Sequence, residues 1–300
     1  MNPSVAPDGS PSRRREADLE RQVSGLVHAV DELGRLVRDA QDRLQAVEAE
    51  LRSLPGGSDR GRDVDGWGPR FAAIYDDFTD HFRGSTAEVS AKLEGYLPDV
   101  HRVVGSGGVV DLGCGRGEWL ALLRAAGVTA RGVDANTAFV SAGRTRGLDM
   151  ELSDALGYLQ ALPPDSIDMV TAFHVIEHLT TEDLLALLEA ARGVLRPGGC
   201  LLLETPNPTN LVMAACDFYN DPTHRSPLPP ALTEYLLSTQ GFRDVEVRPL
   251  HPKTSPPVPT GDGGACAEVQ KIVAQALFGP QDYAVLGYKL SDETPVRPQR

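Results

Sequence analysis

Between residues 13 and 54, apolar side chains recur at alternating steps of four and three. Leu19, Leu26, Leu33, Ala40, Val47 and Leu54 occupy one position of a seven-residue repeat, and Val23, Val30, Val37, Leu44 and Leu51 occupy the other. That period predicts one long helix with a single apolar seam, and β-branched residues set beside leucines favour a two-stranded parallel coiled coil. At 1.5 Å per residue the seam from Leu19 to Leu54 is roughly 50 Å long. An exposed stripe of that length needs a partner, so self-association is expected, as a dimer or else a trimer. The other reading is an amphipathic helix folded back on the rest of the chain. Pro55-Gly56-Gly57 ends the helix, and residues 55–68 read as a linker. Residues 1–12 and 291–300 read as polar, disordered tails.

From residue 69 the pattern changes. Residues 70–97 suggest one or two helices with Phe71, Ile74, Tyr75, Phe78 and Phe82 on their apolar face. Short apolar runs then alternate with helical stretches: GGVVDL, TARGVD, a brief run before Asp154, SIDMVTAF, and GGCLLLETP. FRDVEVRPL and YAVLGYKL follow as a reversed pair. Buried strands alternating with helices predict an α/β domain over 69–290, with a doubly wound, mostly parallel sheet covered on both faces. A Pro/Gly-rich stretch at 249–265 reads as a loop within it.

Composition narrows the partners. A net charge of −13, with basic residues dispersed among acids, disfavours broad nucleic-acid binding. No apolar run approaches the roughly 20 residues of a membrane span. The basic residues near Met1 precede no apolar core, so no secretory signal is expected. Cys114, Cys200, Cys216 and Cys266 show neither zinc-like spacing nor a disulfide framework, which suggests reduced thiols and a cytoplasmic setting.

The chemistry begins at DLGCGRGEW, residues 111–119. A glycine-rich turn between a strand and a helix lets a ligand approach the backbone. Asp134 closes the next strand about 20 residues on, where an acid can accept both hydroxyls of a ribose. Asp154-Ala155 stand where an adenine amine and ring could be received. Taken in order, DLGCGRGEW, VDAN, Asp154-Ala155, FHVIEHL and RPGGCLLLETPNP resemble the class I S-adenosylmethionine-dependent methyltransferases over residues 70–290. The resemblance implies seven strands with the last antiparallel. It also implies Asp111, Gly113 and Gly115 around the methionine portion, Asp134 on the ribose and Asp154 on the adenine. Asp111 could instead be a loop-capping carboxylate, and Trp119 reads as core. HFRGS, FYNDPTHRSPLPP and FGPQDYAV further resemble bacterial glycan and sugar O-methyltransferases of the O-antigen chain-terminating and methylmannose-polysaccharide types. That likeness implies a charge-assisted contact from Arg83 to the cofactor carboxylate.

His174, Glu177 and His178 fall just past the fourth strand, with one helical turn expected between the two histidines, and His224 arrives later in a proline-bounded loop. The four are a candidate site for a divalent metal, Mg²⁺ or Mn²⁺. The pattern is similar to metal-dependent O-methyltransferases of the coenzyme Q pathway and to small-RNA 3′-terminal methyltransferases, with His174 where the latter carry an acid. A metal chelating two adjacent hydroxyls would activate a sugar or polysaccharide acceptor. Without metal, His174 or His178 would serve as the base. Phe218, Tyr219 and Arg225 are candidate acceptor walls; His28, His81, His101 and His251 are set aside. The expected activity is therefore O-methylation of a sugar hydroxyl, with a metal-independent quinone or natural-product O-methyltransferase as the alternative and a non-catalytic scaffold as the third reading.

Overall fold

The computed structural model describes Arg35, Phe82, residues 84–254 and residues 265–290, without the side chains of 265–270. The expected coiled coil at 13–54, the linker, Arg83, the tails and residues 255–264 lie outside the described residues. The chain divides into two units, Met1–Thr79 and Asp80–Arg300, and the fold that follows belongs to the second.

Helix α1, Thr86–Leu93, starts at Ser85 because a capping box forms there. The Ser85 hydroxyl accepts the Glu88 N–H, and Glu88 Oε2 accepts the Ser85 N–H at 2.9 Å, which satisfies two donors left over at a helix start. A 3₁₀ turn leads into α2, Leu97–Val103. Then β1 (Val109–Leu112), α3 (Glu118–Ala125), β2 (Ala130–Asp134), α4 (Thr137–Thr145), β3 (Met150–Leu152), α5 (Ala155–Ala161) and β4 (Ile167–Phe173) alternate. They are followed by α6 (Thr181–Val194), β5 (Leu195–Pro206), α7 (Leu211–Ala215), α8 (Pro230–Thr239), β6 (Arg243–Pro252), α9 (Ala265–Phe278) and β7 (Pro280–Tyr288).

The strands form one seven-stranded sheet in the order β3-β2-β1-β4-β5-β7-β6. Strands β1 to β5 pair in parallel, and β7 runs antiparallel to both β5 and β6. The mostly parallel sheet with a reversed last strand is therefore present, but β7 is the reversed member and β6 is not. Side chains alternate between two helical layers. Leu112, Val170, Ala172, Leu201 and Leu203 pack with Leu159, Leu184, Leu188 and Leu237 on one face. Met169, Cys200, Leu202 and Leu286 pack with Val100, Trp119 and Leu123 on the other. Truncating a fully buried leucine such as Leu188 would cost about 2–5 kcal/mol.

Residues 249–252, expected in a loop, are the end of β6. Proline is tolerated there because β6 is the sheet edge, where a missing N–H breaks no inner ladder. Asp168, at the start of β4, accepts N–H bonds from Gly105, Gly107 and Gly108 at 2.6–3.0 Å, so it closes the turn before β1 at the end remote from the strand C-termini. The connection order switches at β1 and β4, which opens a crevice past their carboxyl ends. Among the described residues no helix is long and apolar enough to cross a membrane.

Candidate active site

Past β1 the backbone turns through Gly113 (φ 62°), Gly115 (φ 52°) and Gly117 (φ 80°), the left-handed region that glycine enters without strain. A Cβ on Gly113 would lie 2.5 Å from Val175 Cγ2, so the loop after β1 and the loop after β4 meet at that glycine. Asp134 ends β2 and binds the turn: Oδ2 accepts the Gly115 N–H and Oδ1 the Asn136 N–H, both at 2.8 Å. Each carboxylate oxygen has a second lone pair that a ribose hydroxyl can use.

Asp111 is buried within β1 and accepts the Thr171 hydroxyl at 2.7 Å. Burial pushes its carboxyl up to about 8; the Thr171 bond opposes this, and the charges of Asp134 and Glu118 add to it. Arg116, not anticipated from sequence, pairs with buried Glu118 at 2.6 Å and donates to the Gly84 carbonyl at 3.0 Å, tying the glycine turn to the segment before α1. Exposed Asp154 caps α5 by accepting the Gly157 N–H at 2.7 Å, and Ala155 packs against the core beside it. The glycine cradle, the acid in β1 and the acid ending β2 suit a ligand that carries both a ribose and a cationic amino-acid portion.

The loop after β4 carries His174, Glu177 and His178 and touches the glycine turn through Val175. His174 adopts a positive φ of 56°, and only Ile176–His178 form a helical turn, of the 3₁₀ kind. The expected helical turn from His174 to His178 is thus replaced by a kink. The four sequence-predicted metal residues fall into two groups as a result. Glu177, His178 and His224 offer ligand atoms within 4.8 Å of one another, whereas His174 groups in the same way with Glu204 and Asp282.

In the first group, His224 Nδ1 lies 2.7 Å from the Phe218 carbonyl, which can only accept, so the proton sits on Nδ1. His224 Nε2 faces Glu177 Oε1 at 3.9 Å. His178 Nδ1 lies 2.9 Å from Thr223 Oγ1, whose own proton goes to Asp221 Oδ1, so His178 also carries its proton on Nδ1. The imidazoles stand 4.7 Å apart, and buried Phe218 packs on His224 at 4.6 Å. Phe218 therefore supports the loop from within, while Tyr219 and Arg225 are exposed. The Arg225 N–H donates to the Glu177 carbonyl at 2.9 Å and joins the two loops.

Glu177 is fully buried. Its Oε2 accepts the Thr205 hydroxyl at 3.0 Å, but its Oε1 makes no hydrogen bond, despite lying 3.2 Å from His174 Nδ1. Burial works against its charge, yet His174, His178 and His224 hold its carboxyl down at about 2. For His174 burial likewise disfavours charge, but Glu177, Glu204 and Asp282 surround the ring and hold it up at about 10.

The second group was not anticipated beyond His174. Glu204 comes from β5 and Asp282 from β7, both buried, and His251 from β6 lies 3.0 Å from Asp282. Tyr96 donates its hydroxyl to Glu204 Oε2. The available signal was an acid inside each of the apolar runs LLLETP and QDYAVLGY.

A methyltransferase-domain family matches residues 88–247. A probable S-adenosylmethionine-dependent methyltransferase of Mycolicibacterium smegmatis is 32% identical over 204 residues, which are 66% of this chain and 77% of that protein. The ubiquinone biosynthesis O-methyltransferase of Xanthomonas campestris is 31% identical over 111 residues, 35% of this chain and 46% of that one. Among solved structures, a SAM-dependent methyltransferase from Archaeoglobus fulgidus aligns with a TM-score of 0.63 at 33% identity, covering 72% of this chain and 99% of that chain. Matches of that extent, on a sheet whose last strand is the reversed one, make this chain a member of the class I S-adenosylmethionine-dependent methyltransferases.

Proposed function

We propose that the enzyme methylates an oxygen of a small-molecule acceptor, with His224 taking the acceptor's proton. The observation that carries this reading is the His224 tautomer. With its Nδ1 proton tied to the Phe218 carbonyl, His224 keeps a lone pair on Nε2, which lies between the carboxylates of Glu177 at 3.9 Å and Asp221 at 4.0 Å. A general base needs such a nitrogen, and a nearby carboxylate steadies the imidazolium that forms. His178 stands beside it, and Val175 joins this turn to the glycine loop. His174, enclosed by three carboxylates, already holds its proton at neutral pH and is a poor base. The similarity to ubiquinone biosynthesis O-methyltransferases supports methylation at an oxygen of a small molecule.

Bound S-adenosylmethionine supplies an electrophilic methyl group, so the protein's part is to align the acceptor oxygen, exclude water and remove its proton. In this reading Asp134 holds the ribose, Asp154 and Ala155 the adenine, and Asp111, Gly113 and Gly115 border the methionine portion. Arg83 meets its carboxylate.

A second reading retains a sugar or polysaccharide acceptor, with Mg²⁺ or Mn²⁺ held by Glu177, His178 and His224, the three of the expected ligands that lie together. The Glu177 Oε1 without a hydrogen-bond partner favours it, since a buried carboxylate oxygen is normally satisfied. The test is methyl transfer from labelled cofactor to phenols and to sugar diols, with and without chelator, where the protein stays folded. We expect phenols to be labelled undiminished in chelator. Labelling of diols alone, and only with metal, would establish the second reading instead.

A further inference from the structure

We infer that His174, Glu204 and Asp282, completed by His251, form a binding site for a divalent transition-metal ion that clamps the acceptor end of the sheet. The inference is independent of which group serves as base or what the acceptor is. The four residues come from four strands or their ends: His174 follows β4, Glu204 lies in β5, His251 in β6 and Asp282 in β7. The register sets Asp282 beside Pro206, two residues from Glu204, and beside Leu250, while a positive φ of 52° at His251 breaks the strand alternation and leaves its ring 3.0 Å from Asp282.

His174 Nε2 lies 3.6 Å from Glu204 Oε1 and 4.0 Å from Asp282 Oδ1. His251 Nδ1 lies 3.8 Å from Glu204 Oε1 and 3.0 Å from Asp282 Oδ2. Ligands about 2.0–2.2 Å from an ion stand roughly 3–3.5 Å apart, so His174, Glu204 and Asp282, whose ligand atoms lie within 4.8 Å of one another, would close in around the ion and His251 would join them from the side of the two acids. Two imidazoles with two carboxylates suit Zn²⁺, Mn²⁺ or Fe²⁺ better than Mg²⁺.

The surroundings separately point to a ligand here. A metal-bound imidazole usually turns its other nitrogen to a carboxylate. His174 does so: Nδ1 faces Glu177 Oε1, a buried oxygen with no hydrogen-bond partner, which leaves Nε2 toward the acids. Tyr96 fixes Glu204 through Oε2, which leaves Oε1 toward both histidines. An ion here would neutralise two buried acids and tie together β4, β5, β6 and β7.

Untagged full-length protein, freed of metal, should be titrated calorimetrically with Zn²⁺ and with Mn²⁺, and melted with and without each. We expect one ion per chain. At about 100 times Kd the melting temperature should rise by roughly 5–10 °C. Glu204→Gln, Asp282→Asn and His251→Gln should each weaken binding at least about tenfold, while His178→Gln and His224→Gln leave it unchanged. Should one acid variant fail to fold, the edge-strand His251→Gln still decides. Absence of binding by the wild-type protein would overturn the inference. So would binding lost in His178→Gln and His224→Gln but kept in His251→Gln and the folded acid variants, which would locate the ion with Glu177 instead.

Discussion

Asp134 holds the glycine turn in place and, in the proposed reading, would also receive a ribose. It accepts one N–H from the glycine turn and one from the start of the following helix, and its remaining lone pairs are available to a ribose. Asp134→Ala should therefore weaken cofactor binding by about 1–3 kcal/mol, as expected for lost charge-assisted hydrogen bonds. Calorimetry giving an unchanged affinity would remove Asp134 from the cofactor site. The place of Asp134 in the fold was legible in the sequence because it closes a strand at a fixed distance past the glycine turn. The grouping of Glu177 and His178 with the distant His224 was also anticipated. The direction of the His174 ring was not, because a positive φ at a non-glycine residue follows from tertiary packing rather than from any local pattern. Glu204, Asp282 and His251 escaped notice for a related reason. They lie on three strands far apart in sequence, and only the insertion of β7 between β5 and β6 brings them together.

At the scale of elements, apolar runs located the strands, since a doubly covered sheet demands nearly continuous burial. The pattern was weaker at the edge. β6 alternates exposed and half-buried residues and carries Pro249 and Pro252, so its end read as a loop. Helix α9 went unread because glycines and prolines precede it. The heptads at 13–54 make a separate prediction about an element outside the described residues. Deleting residues 1–66 should leave a folded catalytic domain of lower association state. Sedimentation of the intact chain as a monomer at micromolar concentration would contradict the self-associating seam, and a trimer would correct the expected strand number.

For the whole molecule, the pairing of half-buried His174 with buried Glu177 makes stability depend on pH. His174 is held at about 10 against an ordinary 6.5, so its contribution is complete below 6.5 and is lost as pH rises through 10. Glu177 is held at about 2 against an ordinary 4.5, so its contribution is present above 4.5 and is lost as pH falls through 2. Melting curves in chelator should show the pair contributing most between about 4.5 and 6.5, and His174→Gln should flatten the alkaline decline. Parallel pH dependences for variant and wild type would deny the pairing. A base at His224 is tested most directly by the pH dependence of turnover in chelator for wild-type protein and His224→Gln. The wild type should gain activity with rising pH as one group deprotonates. His224→Gln should lose that rise and about 10²–10⁴ in kcat while still binding cofactor. An unchanged profile in His224→Gln, or wild-type activity that vanishes in chelator and returns with Mg²⁺ alone, would contradict a base at His224.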